Sequence, residues 1–65
     1  MKQYLSPEHA SNVLNAVGTT VLGWHILEVE VVEGAPSDYC AVDVSATTHP
    51  SNTATIGDVI EELGQ

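Results

Sequence analysis

The sequence predicts a small two-layer α+β domain in which an antiparallel hairpin carries two helices on one face, in the order helix, strand, strand, helix. Three observations predict this fold. A capped amphipathic segment begins at Ser6-Pro7-Glu8, two alternating segments flank a turn, and a second capped amphipathic segment begins at Thr55. With 65 residues, no internal repeat and no long linker, residues 1–65 are expected to form a single acidic domain.

The first helix is predicted over residues 7–17. Ser6 is a good N-cap residue, Pro7 suits the first helical position, and Glu8 favours the positive end of the helix dipole. Apolar residues at i, i+3, i+4 and i+7 form its expected buried stripe: Ala10, Val13, Leu14 and Val17. Gly18 then stands where a left-handed residue commonly ends a helix, and a short connection leads to the first strand.

Two strands are predicted by the period-two alternation of residues 24–33 and 39–48. The turn cluster Gly34-Ala35-Pro36-Ser37 joins them into a hairpin. The expected core face of the first strand carries His25, Leu27, Val29 and Val31, and its outer face carries Trp24, Ile26, Glu28, Glu30 and Val32. Centring the loop between Ala35 and Pro36 places Leu27 opposite Val44, Val29 opposite Val42, Val31 opposite Cys40 and Glu28 opposite Asp43.

The second helix is predicted to begin after Thr55 and to end at Gly64. Asp58 stands three residues after Thr55, as in a shortened capping box. The Ser- and Thr-rich residues 45–54 are expected to finish the second strand and form an exposed loop. The predicted core comprises the apolar faces that agree in period: Val13, Leu14, Val17, Leu27, Val29, Val31, Val42, Val44, Ile56, Val59, Ile60 and Leu63.

The charge is strongly one-sided, since nine acidic residues accompany one basic residue, Lys2, and the formal net charge is -8. Ordinary surfaces mix both signs. The 43% hydrophobic content is too high for a disordered acidic tail, so the chain is expected to fold. Its counter-charges must come from solvent cations or from a basic partner.

A partner-binding surface is predicted where carboxylates gather. Glu28 and Glu30 share the outer face of the hairpin with Asp43, and like charges opposed across strands are unfavourable. On the second helix, acidic residues recur at i, i+3 and i+4, and two of them lie in the last turn, where the helix dipole disfavours anions. The predicted set is Glu28, Glu30, Asp43, Asp58, Glu61, Glu62, Trp24 and Tyr39. The alternative is a solvated face whose repulsion salt screens.

No catalytic residue, metal site or cofactor is expected, because the three histidines and Cys40 lack the spacing of metal motifs and an open hairpin face provides no cleft. The chain is therefore expected not to be an enzyme. Cys40 is expected to be a small buried hydrophobe. A single cysteine, no apolar run of about 20 residues and no signal peptide predict a cytoplasmic protein.

The hairpin followed by residues 55–63 resembles the front half of a ubiquitin-like sulfur-carrier domain. Those carriers continue with further strands and end in Gly-Gly, so the carrier function is not expected where Gly64 precedes Gln65. In size, charge and compact α/β pattern, the chain resembles the small acidic phage-encoded inhibitors, including anti-CRISPR proteins. That resemblance implies a protein that presents carboxylates in place of nucleic-acid phosphates.

The preferred function is a stoichiometric protein inhibitor or DNA mimic that blocks a basic nucleic-acid-binding surface of a host protein. Neither direct nucleic-acid binding nor membrane binding is expected. The alternative is a small structural, adaptor or antitoxin-like phage accessory subunit whose acidity serves solubility. A homodimer is a further option, because a two-stranded hairpin is marginal alone and its edges invite pairing.

Overall fold

The structure, a computed structural model, describes residues 2–34 and 39–65. Its elements in chain order are β1 (Lys2–Leu5), α1 (Pro7–Asn15), β2 (Thr20–Val21), β3 (Trp24–Gly34), β4 (Tyr39–Thr48) and α2 (Ile56–Leu63). The strands form one antiparallel sheet in the order β1-β4-β3-β2, curled into a half-barrel. Residues 35–37 of the predicted turn lie outside the described residues.

The predicted fold class is wrong, because the described residues form a four-stranded sheet and not a two-stranded hairpin in a helix-strand-strand-helix domain. β1 pairs with β4 along its whole length, and β2 pairs with the first two residues of β3. Both additional strands are too short to show a period in the sequence. Both segments become strands because tertiary structure pairs β1 with β4 and β2 with β3.

A two-residue turn, Leu22-Gly23, joins β2 to β3. Leu22 has φ 49° and Gly23 has φ 82°, and positive φ at both central positions is the backbone of a type I′ hairpin turn. The loop after β4 holds this turn in place, since Asn52 Nδ2 donates to the Leu22 carbonyl at 3.0 Å and to Thr48 Oγ1 at 2.7 Å. The loop that was expected to be merely exposed therefore fastens one end of the sheet.

A β-bulge at Leu27 changes the predicted register. Ile26 lies opposite Ala46, whereas Glu28 lies opposite Ser45, so one extra residue of β3 stands between two neighbouring pairs. The bulge reverses the alternation at the start of β3. Ile26 is consequently buried, at 1% exposure, and Leu27 is 52% exposed, the opposite of the prediction.

Beyond the bulge, the pairing differs from the predicted register by two residues. Val29 lies opposite Val44, where Val42 was expected. Val31 lies opposite Val42, where Cys40 was expected. A shift of two preserves the side-chain alternation. Val29 and Val31 therefore still pack against the core, as predicted.

Helix α1 begins as predicted, with the Ser6 hydroxyl accepting from the His9 N–H, but it ends at Asn15 and is capped by Ala16. Its buried side is also rotated from the predicted stripe: Ala10, Val13 and Ala16 are buried, and Leu14 and Val17 are exposed. Two alanines on the buried side allow the helix to lie close to β3 and β4.

Helix α2 matches its prediction. The Thr55 hydroxyl accepts from the Asp58 N–H at 3.1 Å, and the Asp58 carboxylate accepts from the Thr55 N–H at 2.9 Å, which completes the capping box. Side chains of α1 bind the far end of α2, because Asn12 Nδ2 donates to the Leu63 carbonyl at 3.0 Å and His9 Nε2 donates to the Ile60 carbonyl. These bonds satisfy carbonyls that a helix end leaves without intrahelical partners.

The core lies between the two helices and one face of the sheet. Its buried members are Leu5, Ala10, Val13, Ala16, Ile26, Cys40, Val42, Val44, Val59 and Ile60. The burial of Cys40 is confirmed. Three residues that were predicted in the core are exposed: Leu14, Val17 and Leu27. Leu5 is buried but was not predicted in the core, because strand β1 was not predicted.

Candidate functional site

Strand alternation divides the sheet into two faces. The core face carries Val42 and Val44 and packs against the helices. We call the opposite surface the outer face, and it carries Tyr4, His25, Glu28, Glu30, Val32, Tyr39, Ala41, Asp43, Ser45 and Thr47. Four of the predicted binding residues lie on this face: Glu28, Glu30, Tyr39 and Asp43.

The acidic part of the outer face lies along β3 and the middle of β4. Glu28 and Glu30 are exposed, Asp43 is half-buried, and Glu30 lies directly opposite Asp43. The predicted pairing of Glu28 with Asp43 is wrong, because the bulge places Glu28 opposite Ser45. On its other side Asp43 lies opposite Lys2 in the β1–β4 register. The like-charge row is thus Glu30 and Asp43, and Glu28 lies two residues along from Glu30.

An apolar patch adjoins these carboxylates. Tyr4 and Val32 flank Ala41 from the two neighbouring strands, and Tyr39 lies two residues along β4 from Ala41. Tyr4 is 67% exposed, and Val32 and Tyr39 are each 54% exposed. Exposed tyrosines beside apolar residues, with charges at the margin, are typical of protein interfaces. The sequence reasoning missed Tyr4, because its strand was not recognised.

Trp24 does not lie on the outer face, where it was expected. It is half-buried, packs against the core and donates from Nε1 to the Ala54 carbonyl at 2.8 Å. The physical reason is the bulge at Leu27, which places Trp24 on the core face together with Ile26. Trp24 fastens the loop before α2 to the start of β3.

The acidic residues of α2 form a separate group. The Asp58 carboxylate is engaged in the capping box, whereas Glu61 and Glu62 are exposed in the last turn. Because α2 packs on the core face through Val59 and Ile60, its carboxylates lie on the other side of the sheet from Glu28 and Glu30. The eight predicted residues therefore do not form one surface.

A groove of about 370 Å³ lies between α1 and the end of β3. It is lined by Pro7, Ala10, Ser11, Leu14, Val31, Glu33 and Cys40. Cys40 is buried and has a free thiol. Most of the lining is apolar, so the groove is suited to hydrophobic side chains.

Among residues 2–34 and 39–65, no group of three or more His, Cys, Asp or Glu side chains is placed to hold a metal ion. Within the same residues, every buried side-chain nitrogen or oxygen has a hydrogen-bond partner. None of the helices in this part of the chain is long and apolar enough to cross a membrane. Comparison with protein-family models, with curated proteins and with solved structures found no match to this chain.

Proposed function

We propose that this protein is a stoichiometric inhibitor that places its outer face on a basic, nucleic-acid-binding surface of another protein. The observation that carries the proposal is the combination, on one sheet face, of the exposed carboxylates Glu28 and Glu30 with the exposed apolar patch of Tyr4, Val32 and Tyr39. The proposed mode of action is binding, with no catalysis and no cofactor.

The charge of the whole chain supports this mode of binding. A formal net charge of -8 steers the protein towards a positive surface and accelerates association at low salt. Glu28 and Glu30, two residues apart on a strand, advance about 6.6–6.8 Å, which is close to two phosphate steps of about 3.4 Å along one strand of DNA. Their carboxylates are suited to occupy phosphate-binding positions, and the tyrosines add apolar contact area.

The setting that we propose is the cytoplasm, which suits the free and buried Cys40 thiol. Within it, the protein acts in the manner of the small acidic phage-encoded inhibitors of the anti-CRISPR type. It contacts a basic protein and neither nucleic acid nor membrane directly.

The second candidate is a structural, adaptor or antitoxin-like accessory subunit whose acidity serves solubility. The placement of the α2 carboxylates favours it, because Asp58 caps a helix and Glu61 and Glu62 are solvated away from the outer face. These residues have no evident role in a shared docking surface.

The two candidates are separated by affinity capture from a nuclease-treated cell lysate. Three baits are compared: the wild type, Glu28→Lys with Glu30→Lys on the outer face, and Glu61→Lys with Glu62→Lys on α2. The two variants carry the same change of net charge. We expect the wild type and the α2 variant to retain a nucleic-acid-binding protein that is released as NaCl rises from about 0.1 M to about 1 M. The outer-face variant should lose it. Equal capture by both variants would favour the solubility role.

A further inference from the structure

The side of β3 that faces away from β4 is an open sheet edge over most of its length. β2 pairs only with Trp24 and His25. Two further bonds, from the Ile26 N–H to the Thr19 carbonyl and from the Gly18 N–H to the Ile26 carbonyl, each 2.9 Å, extend this cover to Ile26. From Glu28 to Gly34, no strand of the described chain pairs with this edge.

The bonds of Ile26 show which backbone groups the open edge presents. Because the N–H and C=O of Ile26 face Thr19 and Gly18, on the side away from β4, the N–H and C=O of its neighbour His25 must face Thr47 of β4. The β4 strand carries no extra residue, so Ser45, Asp43 and Ala41 also face β3. Their partners Glu28, Glu30 and Val32 complete the ladder. The residues between these partners point their N–H and C=O groups to the open edge: Val29, Val31 and Glu33.

The apolar groove runs beside this edge. Val31, Glu33 and Leu14 contribute to its lining, and Leu14 is an exposed apolar residue on α1. In a strand added to β3, alternate side chains would lie on the core-face side, towards this groove. The positions beside Val31 and Leu14 favour apolar residues.

The other side chains of an added strand would lie on the outer face, next to Glu28 and Glu30. Directly opposed charges of unlike sign stabilise a strand pair, and like charges destabilise it. These positions therefore favour Lys or Arg. The edge thus selects both chemistries, apolar residues on one side of the strand and basic residues on the other.

We propose that the partner docks by strand addition, in which an extended segment with alternating apolar and basic residues pairs with β3 from Glu28 to Gly34. This inference rests on the proposed function, because it specifies how the basic partner reaches the outer face. Backbone pairing supplies affinity, the groove and the glutamates supply specificity, and this division is general for peptides that extend a sheet.

A second copy of the chain is a poorer occupant. Pairing two β3 edges would gather Glu28, Glu30 and Glu33 of both copies along one seam, and β3 contains no Lys or Arg to offset these carboxylates. Charged residues on an exposed edge are a common protection against such self-pairing. The same glutamates attract a basic segment.

The test uses the wild-type protein and a capped seven-residue peptide of alternating Lys and Val. Binding is followed by NMR titration and amide hydrogen exchange. When the peptide is bound, we expect the amide hydrogens of Val29, Val31 and Glu33 to exchange at least about tenfold more slowly than in the free protein. Absence of binding, or binding without protection of these amides, would overturn the inference.

Two N-methylated versions of the peptide provide the matched control. One version is methylated on the backbone nitrogens of the Val residues and the other on the backbone nitrogens of the Lys residues. Both versions therefore keep the charge and the side chains of the original peptide. A strand presents alternate N–H groups to its two edges, so strand addition predicts that one version loses its affinity and the other keeps it. Equal affinity of the two versions would overturn strand addition. That result would leave the proposed function intact, since charge-driven docking on the outer face does not depend on the peptide N–H groups.

Discussion

At the scale of single residues, the bulge in β3 decides which of two neighbouring apolar side chains enters the core. Ile26 is buried and Leu27 is exposed. We expect Ile26→Ala to lower the free energy of unfolding by about 2–4 kcal/mol, because it leaves a cavity. Leu27→Ala should lower it by less than about 1 kcal/mol. Urea denaturation of the two variants measures both values, and the reverse order would mean that β3 continues without a bulge.

The turn between β2 and β3 concentrates backbone strain at Leu22, which adopts the left-handed conformation with a side chain that disfavours it. Leu22→Asn should raise the free energy of unfolding by about 0.5 kcal/mol, because Asn-Gly is a preferred type I′ pair. Gly23→Ala is the contrasting change. It should lower that free energy by about 1–2 kcal/mol, since φ is 82° and a Cβ would lie 2.7 Å from Asn52 Nδ2. Thermal melts that show no difference between the variants would contradict the turn geometry.

At the scale of elements, the parts of the fold that depend on near neighbours could be predicted from the sequence. The Ser6 cap and the Thr55–Asp58 capping box follow from side chains three residues apart. The two long strands follow from their alternation. Strands β1 and β2 could not be predicted, because β1 has four residues and β2 has two, which is too few to show a period. Both segments are strands because they pair with other strands of the sheet.

The register of the β3–β4 hairpin illustrates the same division. A period of two predicts which residues alternate but cannot locate an extra residue. The faces of Val29 and Val31 were therefore predicted correctly, whereas those of Trp24 and Ile26 were not.

At the open edge of β3, side-chain burial and backbone pairing predict different sites at which a proline destabilises the domain more. Val31 is half-buried and Val32 is exposed, so burial alone would make Val31 the more sensitive position. The Val31 N–H faces the open edge and the Val32 N–H faces β4. We therefore expect Val32→Pro to destabilise the domain by about 3 kcal/mol or more and Val31→Pro by clearly less. Denaturant titration gives both values, and a greater loss for Val31→Pro would exclude this edge geometry.

At the scale of the whole molecule, the excess of negative charge is distributed over two sides of the sheet. Glu28 and Glu30 could be placed together from the sequence, because residues two apart on a strand share a face. The sequence could not show that Glu61 and Glu62 lie away from Glu28 and Glu30. That separation depends on the face of the sheet against which α2 packs. Tyr4 joined the site only through the pairing of β1 with β4.

The most direct test of outer-face binding is a DNA-displacement titration with the purified partner recovered by affinity capture. Wild-type protein should displace DNA from the partner. Glu28→Lys with Glu30→Lys should require at least about tenfold more protein, while its free energy of unfolding holds or rises because a like-charge pair with Asp43 is removed. Glu61→Lys with Glu62→Lys should displace DNA as the wild type does. Displacement by the outer-face variant at wild-type concentrations, or a loss that merely follows unfolding, would contradict the docking role of the outer face.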